Sequence, residues 1–167
     1  MQRRRIKAIV LDTSYLLPFF GIEVKDIDPV DVRRVIEFSK RLGIEIVYPR
    51  IMVLELLAKL FGEAEKRSLQ ALPSVAKEKL TSLLLSGEVI LEDLVPDHID
   101  IVERLRLRGF RDLFDCIAYA VAKVKRGIFM TMDRAFRQFL LSIGEEVELL
   151  KDHKEVLHTL EELVSNI

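Results

Sequence analysis

Several acidic side chains lie in apolar surroundings, where a charged group is costly. Asp12 directly follows the apolar run 8–11, and Asp133 comes two residues after Thr131, the end of a second such run. Glu55 is the sole ionisable residue between positions 51 and 58, and Asp115 precedes the apolar segment 116–122. An unpaired carboxylate in apolar surroundings costs several kcal/mol, and a bound cation would remove that cost.

The carboxylates of these residues are hard oxygen ligands. They can bind one ion together only if the fold brings them close to one another. Carboxylates held close together repel one another unless they are protonated or paired. Mg²⁺ or Mn²⁺ is the usual partner of a site built from oxygen ligands alone. Such an ion can activate a bound water molecule and stabilise the charge that develops on an attacked phosphate. The acids therefore predict metal-dependent hydrolysis of a phosphodiester.

Each acid also has a simpler structural interpretation. Asp12 and Asp133 are suited to cap the helical segments that follow them. Asp112 is suited to cap the helix in which Asp115 occupies the first turn, and the helix dipole favours both charges. Glu55 has a lysine one helical turn further along, and an exposed pair of this kind contributes only a few tenths of a kcal/mol. The apolar neighbours favour a functional role for Glu55 and Asp115.

Alternating strand and helix patterns predict one α/β domain over residues 1–167, built around a mainly parallel sheet. The strands are expected at 6–11, 44–48, 88–91, 128–131 and 147–150. The helices are expected near 15–17, at 28–42, 50–61, 73–85, 96–108, 112–126 and 134–141, and after Asp152. The segment 50–61 is apolar almost all round, which is typical of a buried helix. Ligands of parallel sheets bind beyond the carboxyl ends of the strands, where Asp12 and Asp133 are predicted.

Composition narrows the class of protein. The chain has 167 residues, 50% of them hydrophobic, with 26 basic and 27 acidic side chains. This balance excludes a disordered chain, and the single cysteine, Cys116, excludes a disulfide scaffold and favours the cytoplasm. No apolar run approaches the roughly 20 residues that span a bilayer, so neither a membrane span nor a signal peptide is expected.

The acidic pattern resembles the PIN-domain nucleases, especially the VapC-like toxins of bacteria and archaea. The resemblance extends over nearly the whole chain, in order and in separation. It rests on Ile9-Val10-Leu11-Asp12-Thr13-Ser14, on Glu55, on Asp115-Cys116-Ile117-Ala118-Tyr119-Ala120, and on Thr131-Met132-Asp133-Arg134-Ala135-Phe136. It implies a three-layer α/β/α sandwich with a five-stranded sheet of order 3-2-1-4-5.

The resemblance also implies an acidic pocket that binds Mg²⁺ or Mn²⁺ and cleaves RNA internally. By position, Asp12, Glu55, Asp115 and Asp133 match the four acids of the family's site. Three of them are expected to hold the ion: Asp12, Asp115 and Asp133. Glu55 is expected to orient or deprotonate the attacking water.

Further positions match the family's auxiliary residues. Thr13 or Ser14 corresponds to the hydroxyl beside the first acid, and Thr131 to the threonine at the strand end. Asp112 is either an auxiliary acid or a cap. Many members carry another acid two residues beyond the one matched by Asp133, whereas this chain has Ala135. That departure argues against tight binding of a second ion.

Basic residues flank the acids on both sides. Arg108 and Arg111 precede Asp115, and Arg134 and Arg137 follow Asp133, so they are candidate RNA contacts. Arg104 and Arg106 belong to the same run, and a solvated helix face explains the charges equally well. Arg3, Arg4 and Arg5 are interpreted as a basic tail. The chain has no Trp, and no stacking platform for single bases is predicted.

Partners follow from the resemblance alone. A VapC-like toxin implies an antitoxin protein and a homodimer, to which Ile51, Leu54 and Phe61 would contribute apolar surface. The rival interpretation is a non-catalytic PIN-like module that binds RNA or protein. An RNA-processing enzyme without an antitoxin is a further alternative. A receiver domain and a haloacid-type phosphatase are disfavoured, because Thr13 and Ser14 stand where each would need a second acid.

Overall fold

The computed structural model describes residues 6–165 and shows one five-stranded sheet of order β3-β2-β1-β4-β5. This order is the predicted one. Every neighbouring pair of strands is parallel, as was also predicted for most of the sheet. The strands are β1 Ala8–Leu11, β2 Glu45–Pro49, β3 Ile90–Glu92, β4 Ile128–Met130 and β5 Leu150–Lys151. The predicted basic tail at Arg3, Arg4 and Arg5 lies outside the described residues.

Helices cover the sheet and complete the α/β/α architecture. They are α1 Pro29–Leu42, α2 Val53–Lys66, α3 Ser74–Leu85, α4 Pro96–Leu107, α5 Leu113–Lys125, α6 Arg134–Ser142 and α7 His153–Ser165. Helix α1 packs against α7, and α4 packs against α5. Within residues 6–165, no helix is long and apolar enough to cross a lipid bilayer.

The core centres on β1 and α5. All residues of Ala8–Leu11 are buried, as expected for a central parallel strand covered on both faces. Helix α5 buries every residue from Cys116 to Ala122, and its alanines allow a close approach to the sheet. The chain then turns at Gly127, where a Cβ atom would lie 2.4 Å from the Ala8 carbonyl oxygen. Glycine is therefore required at this crossing.

Local capping explains why α1 begins and ends as predicted. The Asp28 carboxylate accepts a hydrogen bond from the Val30 N–H at 2.8 Å, and Pro29 occupies the first turn. Gly43 ends the helix in the left-handed conformation with φ of 66°.

Three predictions of local structure were wrong. The helix expected near 15–17 is replaced by two 3₁₀ turns, Thr13–Tyr15 and Leu17–Phe20. Pro18 supplies no N–H, and Gly21 ends the second turn in the left-handed region. The strand expected at 147–150 is Leu150–Lys151, because the Leu150 N–H closes a turn onto the Val147 carbonyl oxygen at 3.0 Å.

The third correction concerns the segment predicted as a helix buried on all sides. It forms a 3₁₀ turn, Arg50–Met52, and then α2. Leu56 and Leu60 of α2 face the core, whereas Leu54 is 63% exposed and Phe61 is 50% exposed. The helix therefore has an apolar face outside the core as well as inside it.

Candidate active site

Two neighbouring strands bring the first acids together at the carboxyl edge of the sheet. Strand β1 ends one residue before Asp12, whose N–H donates to the Met130 carbonyl oxygen of β4 at 3.1 Å. The Thr131 hydroxyl donates to Asp12 Oδ2 at 3.2 Å and accepts from the Asp133 N–H at 3.1 Å. Thr131 is buried, and its two hydrogen bonds connect the residues that follow β1 and β4.

Asp12 is partly buried and carries few neutralising contacts. Its Oδ1 accepts the Ser14 N–H at 3.3 Å, so the residue also caps the first 3₁₀ turn. Burial raises the pKa of Asp12 above its usual value, and the nearby charge of Glu55 adds to this rise. Hydrogen bonds from Ser14 and the charge of Lys59 lower the pKa but do not offset burial.

Asp115 meets the same group of acids from the first turn of α5. Burial, which is the largest cause, and the charges of Asp12, Asp112 and Asp133 together raise the pKa of Asp115 to about 9. The Asp115 and Asp133 carboxyl groups are also within hydrogen-bonding reach of each other. Helix α5 and the two strand ends therefore place Asp12, Asp115 and Asp133 in one electrostatically coupled group.

The capping interpretation is confirmed for Asp112 and Asp133, as it is for Asp12 at the first 3₁₀ turn. Asp112 Oδ1 accepts the N–H groups of Phe114 at 2.9 Å and of Asp115 at 3.2 Å. Asp133 Oδ1 accepts the Phe136 N–H at 2.8 Å at the start of α6. Asp112 is exposed and serves as the cap of α5. Asp133 combines a cap with proximity to Asp115.

Glu55 reaches this edge from α2 and is held on two sides. The Thr13 hydroxyl donates a short hydrogen bond to Glu55 Oε2. Lys59 Nζ lies 3.1 Å from Glu55 Oε1, so the predicted ion pair is also present. Of the two hydroxyl candidates, Thr13 contacts the glutamate, whereas Ser14 contacts Asp12 through its backbone N–H.

The side chains at this edge are of the types that bind a hard divalent cation, although they do not form a closed set of ligands. Within residues 6–165, no three acidic, histidine or cysteine side chains stand together at metal-binding spacing. No described lysine, arginine or histidine forms an ion pair with Asp12, Asp115 or Asp133. Carboxylate oxygens with a threonine hydroxyl nearby fit Mg²⁺ or Mn²⁺ by their chemistry.

The predicted basic residues fall into two groups. Arg108, Arg111 and Arg134 are exposed, and no carboxylate in the described part of the chain pairs with them. Arg137 instead donates to the Leu150 carbonyl oxygen at 2.5 Å, which fixes it against β5. Arg104 is bound to Glu145 at 2.7 Å. Of these exposed residues, Arg111 and Arg134 directly neighbour Asp112 and Asp133 in the chain.

Sequence reasoning missed Tyr48, at the end of β2. It was treated as part of an apolar strand, yet its hydroxyl lies 2.8 Å from Thr13 Oγ1. The available signal was a tyrosine at a strand end beside the predicted acids, because a buried tyrosine hydroxyl needs a partner.

Comparisons with known proteins agree with this geometry. The PIN domain family model matches residues 9–139, which is more than half of the chain. A comparison with curated proteins gave no significant match. Among solved structures, 13 chains match. One of them belongs to a toxin-antitoxin complex from Klebsiella pneumoniae, with 16% identity and a TM-score of 0.53. The alignment covers 87% of this chain and 97% of that one, and at this identity it establishes the fold alone.

Proposed function

Because the chain belongs to the PIN domain family, whose members are generally nucleases that use divalent metals, we propose that it is a metal-dependent endoribonuclease. One observation carries the proposal: at the carboxyl edge of the sheet, burial and the charges of Asp12 and Asp133 raise the pKa of Asp115, and no described cation forms an ion pair with any of the three aspartates. Partly buried carboxyl groups with raised pKa values, such as Asp12 and Asp115, are typical of functional centres.

Asp12, Asp115 and Asp133 are the proposed ligands of Mg²⁺ or Mn²⁺. When bound, such an ion supplies an activated water molecule and stabilises negative charge on the phosphate. Thr131 keeps Asp12 and Asp133 in register through its two hydrogen bonds. Asp112 acts through the backbone, because it fixes the first turn of α5 and with it Asp115.

Glu55 is the proposed general base. A carboxylate that accepts the proton of the attacking water must be within reach of that water and hold a fixed orientation. Thr13 and Lys59 each bind one of the two Glu55 oxygens, which restricts rotation of the carboxylate. The glutamate can then take the proton while the three aspartates bind the cation.

The substrate is proposed to be RNA, bound mainly through its phosphates. Arg108, Arg111 and Arg134 present exposed charges near the acids, and such contacts give affinity without reading sequence. Arg137 remains a candidate, but its bond to the Leu150 carbonyl oxygen restricts its movement towards a phosphate. The absence of tryptophan is consistent with weak recognition of individual bases.

A protein partner is proposed as well. The fold is shared with a chain of a toxin-antitoxin complex, which supports an antitoxin as the partner and a toxin role for this chain. The surface formed by Ile51 of the 3₁₀ turn and by Leu54 and Phe61 of α2 is the proposed site of homodimer contact, and these side chains are exposed by 40%, 63% and 50%. Exposed apolar residues concentrated in one patch are typical of interaction surfaces.

Cleavage of labelled single-stranded RNA tests the function. Wild-type protein is compared with Asp12→Asn in Mn²⁺, in Mg²⁺ and in EDTA. We expect cleavage with either ion, none in EDTA, and a loss of about 100-fold or more in the variant. Glu45→Gln is the matched control, because Glu45 begins β2 at the opposite edge of the sheet. That control should cleave at the wild-type rate.

The alternative is a PIN-like module that binds RNA or a protein without cleaving it. Equal cleavage by wild type and Asp12→Asn would contradict the assigned site. RNA binding without cleavage in either metal would favour the binding module. Suppression of cleavage by the product of a neighbouring small reading frame would identify an antitoxin and separate a toxin from an RNA-processing enzyme.

A further inference from the structure

Tyr48 occupies a buried position directly behind the candidate base. It lies in β2, next to β1, and its side chain is fully buried. Its hydroxyl is 2.8 Å from Thr13 Oγ1 and 2.8 Å from the Met52 carbonyl oxygen. Thr13 is also fully buried, and its hydroxyl contacts Glu55. A continuous chain of contacts therefore runs from Met52 through Tyr48 and Thr13 to Glu55.

The number of hydroxyl protons in this series of contacts decides which group donates each hydrogen bond. Thr13 and Tyr48 each have one hydroxyl proton, and a carbonyl oxygen only accepts. Thr13 donates to Glu55, so its proton is not available to Tyr48. Tyr48 then supplies the proton of its contact with Thr13, and it can do so only by sharing that proton with the Met52 carbonyl oxygen.

We propose that Tyr48 is a positioning residue for the base: its hydroxyl orients Thr13 so that the Thr13 proton points at Glu55. This inference rests on the proposed nuclease function. Burial raises the pKa of Tyr48 above its ordinary value, so the hydroxyl keeps its proton at neutral pH. Without the Tyr48 hydroxyl, Thr13 Oγ1 loses one of its two side-chain contacts, and its hydroxyl is held less firmly towards Glu55 Oε2.

Tyr48 also has a structural role, which the test must separate from positioning. Its bond to Met52 closes the turn that leads into α2. Tyr119 offers a matched control, because it is also fully buried and its hydroxyl also makes two hydrogen bonds. Those bonds go to Glu145 and Glu146, which precede β5 and therefore lie at the opposite edge of the sheet.

The first measurement is steady-state cleavage of RNA by Tyr48→Phe, Tyr119→Phe and wild type. We expect kcat to fall by about 10- to 100-fold in Tyr48→Phe, with KM and Mn²⁺ affinity unchanged. Tyr119→Phe should retain the wild-type kcat. Thr13→Ser should keep most activity because it retains the hydroxyl, whereas Thr13→Val should lose as much as Tyr48→Phe. Equal kcat values in Tyr48→Phe and Tyr119→Phe would overturn the inference.

A second measurement does not need activity. The free energy of unfolding is measured for Tyr48→Phe, Glu55→Gln and the double variant, each with Thr13 and with Val at position 13. We expect the two substitutions to be non-additive with Thr13 present and additive in Thr13→Val. Additivity in both backgrounds would overturn the positioning role. If wild type does not cleave RNA, the nuclease proposal fails, while this cycle still decides whether Tyr48 orients Glu55.

Discussion

The two ends of α5 hold carboxylates in opposite electrostatic situations. Asp115, in its first turn, meets other acids and has its pKa raised to about 9, with burial as the main cause. At the other end, Lys123 of α5 lies 2.6 Å from Glu145, and Arg104 of α4 lies 2.7 Å from it. Burial raises the pKa of Glu145, but its bonds to Lys123 and Arg104 outweigh burial and lower the pKa.

This contrast separates a structural carboxylate from one that we propose to be functional. Glu145 is surrounded by the cations and the tyrosine hydroxyl that satisfy it, so it links α4, α5 and the loop before β5. Asp115 has acids and apolar residues as neighbours instead. A protein tolerates such a site when a ligand supplies the missing charge during function.

The largest effect expected from this contrast is on catalysis. Asp115→Asn removes a proposed metal ligand, so RNA cleavage should fall by about 100-fold or more. Glu145→Gln removes a carboxylate that contacts the other end of α5 and should leave kcat of the folded protein unchanged. Parallel cleavage assays in Mn²⁺ check both variants. A comparable loss of RNA cleavage in the two variants would contradict the proposed difference between the carboxylates at the two ends of α5.

The two substitutions should affect stability in the reverse order, so that Glu145→Gln destabilises the protein and Asp115→Asn does not. Glu145→Gln leaves Arg104 and Lys123 without their carboxylate, and we expect a loss of about 1 to 2 kcal/mol in the free energy of unfolding. Asp115→Asn should raise stability in EDTA at pH 7, because it removes an acid that the fold keeps protonated. Urea unfolding measures both. Destabilisation by Asp115→Asn in EDTA would show that this carboxylate is structural.

The pH dependence of stability should also differ between the two acids. The pKa of Asp115 is about 9 in the fold against an ordinary 3.8, so between these pH values the unfolded chain binds fewer protons than the folded protein. The Asp115 contribution therefore falls as pH rises through this window. The Glu145 contribution is present above its ordinary pKa of 4.5 and is lost as pH falls through its lowered pKa.

Urea unfolding in EDTA across this range tests the signs. Asp115→Asn should flatten the decline towards high pH, and Glu145→Gln should flatten the decline towards low pH. An unchanged decline above neutral pH in Asp115→Asn would assign the effect to other groups.

The smallest expected effect concerns RNA binding. Arg111→Gln or Arg134→Gln should each reduce the slope of log affinity against log salt concentration by about 0.7, because one phosphate contact to single-stranded RNA is lost. Arg104→Gln should leave the slope unchanged, since Glu145 already binds that guanidinium group. Fluorescence anisotropy in EDTA measures binding without cleavage. Equal slopes in all variants would place the RNA elsewhere.

The fold was largely readable from the sequence because its signals are local. The apolar run of β1, the Asp-Pro start of α1 and the glycine after it specify elements without reference to the rest of the chain. The error at β5 has a different cause. That edge strand pairs only with β4, so its length depends on a short neighbour and on a turn at Val147 that periodicity does not report.

The candidate site was predicted in its residue types but not in its contacts. The acids stood out because of their apolar neighbours, and the caps at Asp112 and Asp133 followed from helix rules. The link between Tyr48 and Thr13 joins residues 35 positions apart, and no local pattern marks it. The difference between Arg137, bound to a carbonyl oxygen, and Arg134 likewise depends on tertiary packing.

Calorimetric titration of Mn²⁺ at pH 7 tests most directly whether the acidic end of α5 is built for a cation. The protein is first depleted of metal with EDTA, which is then removed. We predict that wild type and Glu145→Gln bind Mn²⁺ with the same affinity, and that Asp115→Asn binds at least about 10-fold more weakly. Equal affinities of wild type and Asp115→Asn, or no binding to wild type, would contradict the account.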